Sequence, residues 1–192
     1  PNILVGMDTR ISSKILEAAL SAGLASVGAN ALQLGVVPTP AVAYLVREYN
    51  ADAGVMISAS HNTVEYNGIK LFSSSGFKLP DSTEEEIEAL ILDKTAEIPL
   101  CSGTEVGRIT RLSSACKDYI QHIRDCAGAG DYAGLNRKFC FDCANGSSAA
   151  TARKLFAYLG SDCEFIADEP DGTNINDNCG STHIDQLCEY VR

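Results

Sequence analysis

Two short polar clusters hold the side chains of this sequence best suited to chemistry. One is Asp8-Thr9-Arg10. The other is Ser58-Ala59-Ser60-His61-Asn62, with Lys70 ten residues beyond Ser60. A serine followed directly by histidine cannot make the usual hydrolase pair by itself, and no Gly-x-Ser-x-Gly elbow is present, so an esterase triad is poorly supported. Phosphoryl transfer to Ser60 fits the residue types better. Lys70 and Arg10 could neutralise phosphate oxygens, His61 could position or move a proton, and a metal ion on the phosphate would offset an acidic field. Each residue also has a plainer use: Ser58 and Ser60 as loop hydrogen-bonders, Asp8 and Arg10 as a structural salt bridge, Lys70 as a solvated strand residue. His122, near Lys117, Asp118 and Arg124, reads as a surface helix residue, and His183 and Asp185 as cap and loop residues rather than metal ligands.

The elements that must position these clusters follow from the apolar pattern. Residues 3–5 form a short strand, and Ser12 and Ser13 offer caps for a helix whose stripe of Ile15, Ala19, Ala22 and Ser26, flanked by Leu16, Leu20 and Gly23, suits packing on a sheet. Residues 31–34 are a second strand. Pro38-Thr-Pro40 opens a helix over 41–49, with proline in the first turn where its missing N–H does no harm, and 54–57 is a third, wholly apolar strand. Strand, helix, strand, helix, strand predicts a mainly parallel sheet with helices on both faces, that is, an α/β fold. Ligands in such sheets sit beyond the carboxyl ends of the strands, which is where both polar clusters fall.

Further along, 69–72 and 77–79 read as a hairpin, Ser82-Thr-Glu-Glu85 as a capping box for an acidic helix to about Lys94, and 95–110 as a linker or irregular β segment. From Ser113 the alternation resumes: a helix to about Cys126, a Gly-rich connection through Gly128, Gly130 and Gly134, and a strand at 138–142. Then come the turn Asn145-Gly146, a helix over 147–159, a strand at 163–166, a polar loop over 168–182 and an opening helix from Asp185. This is a second, similar α/β unit.

Composition narrows the function. With 192 residues the chain holds one large domain or two small ones. Its net charge of -10 leaves no broad basic surface for nucleic acid. No apolar run approaches the roughly 18–20 residues of a membrane span. Neither the phosphate-loop nor the dinucleotide glycine fingerprint is present. All eight cysteines lie in residues 101–192. The size of the chain and the lack of a secretory h-region favour free thiols in a reducing cytoplasm over a disulfide framework. Cys140 and Cys143, three apart on an expected strand, point to opposite faces, which spoils zinc chelation by that pair. The first residues run straight into a strand and the last helix stops without a cap, so the chain is expected to be a piece of a larger protein.

Gly54-Val-Met-Ile-Ser-Ala-Ser60-His-Asn62, followed by Asn67-Gly-Ile-Lys70, resembles the phosphoserine loop of the α-D-phosphohexomutase superfamily. The likeness extends to Gly6-Met-Asp-Thr-Arg10-Ile-Ser, Val37-Pro-Thr-Pro-Ala-Val-Ala43, Asp142-Cys-Ala-Asn-Gly146, Pro170-Asp-Gly-Thr-Asn-Ile-Asn176 and Gly180-Ser-Thr-His183. The Ile57-Ser-Ala-Ser60 form and the Asn174-Ile-Asn176 segment favour the branch that interconverts glucosamine 6-phosphate and glucosamine 1-phosphate for cell-wall precursor synthesis. Branches acting on mannose or glucose phosphates, and a non-catalytic α/β binding module, stand as alternatives.

The resemblance implies that Ser60 carries the phosphoryl group and binds Mg²⁺ through it. His61 and Lys70 would assist proton transfer and charge stabilisation, Asp8 and Arg10 would belong to the neighbouring substrate and phosphate loop, and Asn62 would shape the serine loop. It further implies a sugar bisphosphate as primer and intermediate, a phosphosugar partner, a cytoplasmic setting and room for a homodimer of the full-length enzyme. Proline usually follows Ser-His-Asn in this superfamily; Thr63 stands there instead, and a less rigid loop is expected. Residues 1–110 correspond to the first domain without its first strand, and 111–192 to part of a second domain that stops before the metal-binding loop. Such a piece is expected to be inactive alone.

Overall fold

The computed structural model describes residues 1–93, 97–128, 138–159 and 162–192. Lys94, the expected end of the acidic helix, and Gly130 and Gly134 of the Gly-rich connection lie outside the described residues.

Strand β1 (Asn2–Met7) is central because it is apolar on both faces, with Leu4 and Val5 fully buried. Parallel neighbours β2 (Asn30–Val36) and β3 (Ala53–Ile57) flank it, β4 (Ile69–Ser73) adds antiparallel to β3, and β5 (Ile109–Arg111) adds parallel to β2. The order is β4-β3-β1-β2-β5, so the chain leaves β1 on one side and returns on the other. The last residues of the segment read as linker or irregular β are therefore an edge strand, one residue past the expected boundary at 110. Only three residue pairs make it, and its own three residues are all exposed, so no apolar period marks it in the sequence. The expected hairpin keeps one full arm; its return is a single bridge between Phe72 and Lys78.

Helix α1 (Ile11–Ser26) covers one face of the sheet, where Leu16, Leu20 and Leu24 meet Val5, Met7 and Ile57. Helix α2 (Thr39–Glu48) covers the other, where Val42, Leu45 and Val46 join Leu4 and Met56. Gly6 and Gly54 let α2 come this close. A Cβ on Gly54 would lie 2.5 Å from Val46 Cγ2, and one on Gly6 2.6 Å from Val42 Cγ2.

Two expectations for α1 are corrected. Its Ile15 stripe faces outward, with Ile15 70% exposed, and the inward face is Ser13, Glu17 and Ser21 alongside the leucines. These polar groups can be buried because each finds a partner: Ser13 Oγ donates to Asp8 Oδ1, Ser21 Oγ accepts from Gln33 Nε2, and Glu17 faces Arg111. Ser13 is thus occupied inside the helix rather than capping it, and Arg10 precedes the first turn with no side-chain cap. The Ser82 capping box is likewise not formed. Helix α3 (Asp81–Leu92) starts after Pro80, whose extended backbone sets the boundary two residues earlier and whose carbonyl accepts from Thr83 and Glu84 N–H.

The later segment builds a second, two-stranded parallel sheet from β6 (Lys138–Asp142) and β7 (Asp162–Ile166). The expected helix from Ser147 opens instead as a 3₁₀ turn, Ser147–Ala150, and becomes α5 at Ala152–Leu159. Phe141 packs between Phe156 and Phe165, with ring centroids 4.0 and 5.5 Å away. Helix α4 (Ala115–Ala127) buries Ala115, Tyr119 and Ile120 and rests on α2. His122 on α4 is not a free surface residue; its ring stacks on Tyr44, centroids 3.6 Å apart. Helix α6 (Asp185–Val191) closes the chain. All eight cysteines are free thiols. Among the described residues no helix is long and apolar enough to cross a membrane.

Candidate active site

The site forms where β1 and β3 end side by side, at the point where strand order reverses. Asp8 N–H donates to Ile57 O (3.0 Å) and Ser58 N–H to Gly68 O (2.9 Å), fastening the loop after β1 to the loop after β3 and to the start of β4. Ser60, His61, Lys70, Asp8, Asn176 and Ser148 are among the residues around a cavity of about 350 Å³ at this edge. The structure thus brings Ser60, His61 and Lys70 together. Ser60 Oγ and His61 Nδ1 are 3.5 Å apart, the outer limit of a hydrogen bond.

Ser60 has a φ of 58°, a left-handed conformation that costs a non-glycine residue about 1–3 kcal/mol and persists only when its surroundings enforce it. The enforcement is visible. Ser60 N–H donates to Ser58 Oγ, and Asn62 N–H to Ala59 O. The loop carbonyls accept from Arg10: Nη2 reaches Ser60 O (3.1 Å) and Asn62 O (2.8 Å), while Nη1 reaches Tyr66 O (2.8 Å) and Thr63 O. Nε donates to Asp8 Oδ2 at 2.8 Å.

All five N–H groups of Arg10 are therefore committed. The side chain is fully buried, and none of its donors remains for a phosphate oxygen, contrary to the role expected of it from its charge. Asp8 is likewise engaged: its carboxylate accepts from Arg10 N–H, Arg10 Nε and Ser13 Oγ. Among the described residues around the cavity, the cation left is Lys70. Asn62 enters through its backbone, and the carbonyl of Thr63, where proline was expected, is gripped by Arg10.

The second sheet's loops complete the wall. Thr9 Oγ1 donates to Asn145 O (2.6 Å), and Ile11 N–H to Gly172 O (2.8 Å). Asn176 Nδ2 donates to Ser60 O (3.0 Å) and Asn62 O (2.9 Å). Sequence reading treated the 168–182 loop as a polar connection and Asn176 only as part of a motif. The available signal was local, since asparagine is among the few residues that tolerate the left-handed backbone found there (φ 57°). Cys143 also lines the cavity, but burial pushes its thiol up from the usual range, so it stays protonated and is a poor second nucleophile.

Among the described residues no three His, Cys, Asp or Glu side chains converge as a metal site requires. Asp8 is spent on Arg10 and Ser13. Ser60, the residue expected to reach a metal through a phosphate, lines the cavity.

Residues 1–97 match the phosphoglucomutase/phosphomannomutase alpha/beta/alpha domain I. The phosphoglucosamine mutase of Acetivibrio thermocellus is 55% identical over 191 residues, and that of Clostridium beijerinckii 54% over 191. Each alignment covers 100% of this chain and 42% of the relative, so the chain spans less than half the length of these relatives. A crystal structure of a phosphoglucomutase/phosphomannomutase family protein from Burkholderia thailandensis superposes with a TM-score of 0.68 at 22% identity, covering 90% of this chain and 37% of that one, which is a likeness of fold. By the match over its first half, the chain belongs to the phosphoglucomutase/phosphomannomutase family.

Proposed function

We propose that the chain is the serine-bearing part of a phosphoglucosamine mutase, an isomerase that interconverts glucosamine 6-phosphate and glucosamine 1-phosphate. The observation that carries this reading is the convergence of Ser60, His61 and Lys70 on one cavity at the strand-order reversal. The relatives at 54–55% identity favour the glucosamine branch.

In the proposed reaction, phospho-Ser60 faces a sugar monophosphate. The bond between phosphorus and Ser60 Oγ breaks as one forms to the sugar hydroxyl, whose proton leaves to a base; His61 is placed to take or relay it. The resulting sugar bisphosphate turns over, and its other phosphoryl group returns to Ser60 Oγ, which needs the proton back. Lys70 neutralises charge on the equatorial oxygens. Asp8 acts through Arg10, and Arg10 through the loop carbonyls. Bound Mg²⁺ would add charge neutralisation at the Ser60 phosphate, the one ligand proposed from this chain. Eight free thiols suit a reducing cytoplasm as its setting.

Mass spectrometry of the full-length protein tests the reading. A phosphate on Ser60 that passes to added hexose monophosphate, leaving unphosphorylated enzyme and a sugar bisphosphate, supports it, and a Ser60→Ala enzyme with normal turnover refutes it. Comparing rates on glucosamine, mannose and glucose 6-phosphates, with Mg²⁺ and a bisphosphate primer, decides the branch.

A further inference from the structure

We infer that Asn176 is a positioning residue for phosphoryl transfer at Ser60, acting through the two carbonyls of the serine loop. The inference rests on the mutase reading above and adds a residue to it.

The geometry is a double grip. Ser60 O and Asn62 O each accept two hydrogen bonds, one from Arg10 Nη2 and one from Asn176 Nδ2. Both N–H groups of the Asn176 amide are used. Two carbonyl acceptors can only be met by the amide nitrogen, which settles which way the amide points. Arg10 reaches the loop from the same sheet, 50 residues away in sequence, whereas Asn176 reaches it from the second α/β unit, 116 residues away. The residue is itself held: it is 6% exposed, its N–H donates to Ala144 O at 2.9 Å, and its backbone is left-handed at φ 57°.

A bond of this kind could serve only to join the two units. Its location says more. The gripped carbonyls are that of the left-handed Ser60 itself and that of Asn62, one on each side of His61, so the plane of the Ser60–His61 peptide, and with it the aim of Oγ and of the His61 ring, depends on where those oxygens are drawn. Thr9 to Asn145 and Ile11 to Gly172 already join the units without touching the serine loop. Asn176 is placed to orient the nucleophile, and a displacement of about 1 Å at a reacting group can cost on the order of 10²-fold in rate.

The test uses the full-length protein carrying Asn176→Asp, which keeps the shape but presents oxygen to two carbonyls. Asn176→Ala, which removes the donors without adding charge, carries the same test should the aspartate variant not fold. Phospho-Ser60 enzyme, labelled with ³²P by a sugar 1,6-bisphosphate, is mixed with glucosamine 6-phosphate, and the single-turnover transfer rate is measured beside KM and the melting temperature. The expected result is a transfer rate at least about 10-fold lower, with KM within about threefold of wild type, read below a melting temperature that itself falls because two buried hydrogen bonds are lost. A purely joining role would lower the melting temperature alone and leave the transfer rate of folded enzyme intact, which overturns the inference. Failure of the wild-type protein to take label on Ser60 would overturn the mutase reading itself, a result distinguishable from normal transfer in the variants.

Discussion

Asp8 holds the Arg10 guanidinium by its Nε at 2.8 Å, and this one contact aims the other four N–H groups at carbonyls of residues 60, 62, 63 and 66. A lysine has three donors on a point ammonium and no fork. Arg10→Lys should lose most of these bonds and leave Asp8 poorly paired in a buried setting, a loss of about 3–5 kcal/mol. Urea unfolding of the variant measures it. A loss below about 1 kcal/mol would mean that the fork contributes little.

Gly54→Ala should destabilise by about 1–3 kcal/mol, since the new methyl falls 2.5 Å from Val46 Cγ2 and 2.9 Å from Val42 Cγ1 in a buried layer. Pairing it with Val46→Ala, which opens space at the nearest contact, should cost less than the sum of the two single changes. Strict additivity in a double-mutant cycle would contradict the close approach of α2 to β3.

Glu17 introduces a pH dependence. Burial raises its carboxyl above the ordinary 4.5, opposed in part by Arg111 and Lys14. A raised folded value means that the stability from this group is fully present below pH 4.5 and is lost as pH rises through the folded value. Glu17→Gln should therefore gain on the wild type as pH rises from 4 to 7, read from melting temperatures across that range. An advantage that grows toward acid would reverse the sign and refute it.

Tyr49 ties the end of α2 to α4 through a 2.5 Å hydrogen bond to Asp118 Oδ2. Burial, with the bond to Asp118, pushes its phenol up to about 12. Stability from this group is present below its ordinary value of 10 and declines as pH rises toward 12. Tyr49→Phe should cost about 1 kcal/mol near neutral pH. It should also remove one late-ionising phenol from the ultraviolet titration; loss of a phenol from the ordinary wave near 10 instead would show that Tyr49 ionises normally.

The helices, the central strands and the place of the site were legible in the sequence because each depends on local information. Apolar runs at 3–5 and 54–57 are short enough for strands, and Pro38-Thr-Pro40 marks a helix start. Ser60 and His61 follow a strand whose end must open on one edge, and Lys70 stands near the start of the next strand. β5 was not legible, since a three-residue exposed edge carries no apolar period. The inward face of α1 was misread for a related reason. Ser13, Glu17 and Ser21 look like surface residues until Asp8, Arg111 and Gln33 supply their partners.

By itself, then, the sequence determined an α/β chain with a polar serine loop at the ends of parallel strands. Which donors meet that loop was decided only by tertiary structure. Arg10 looked like a phosphate ligand because a charge in a polar cluster suggests a charged partner, yet folding spends its five N–H groups on Asp8 and four carbonyls. Asn176 looked like a loop residue because its acceptors lie 114 and 116 positions away. Hydrogen bonds are short and directional, so their partners are settled by how separate elements pack, a quantity that local pattern and composition do not encode.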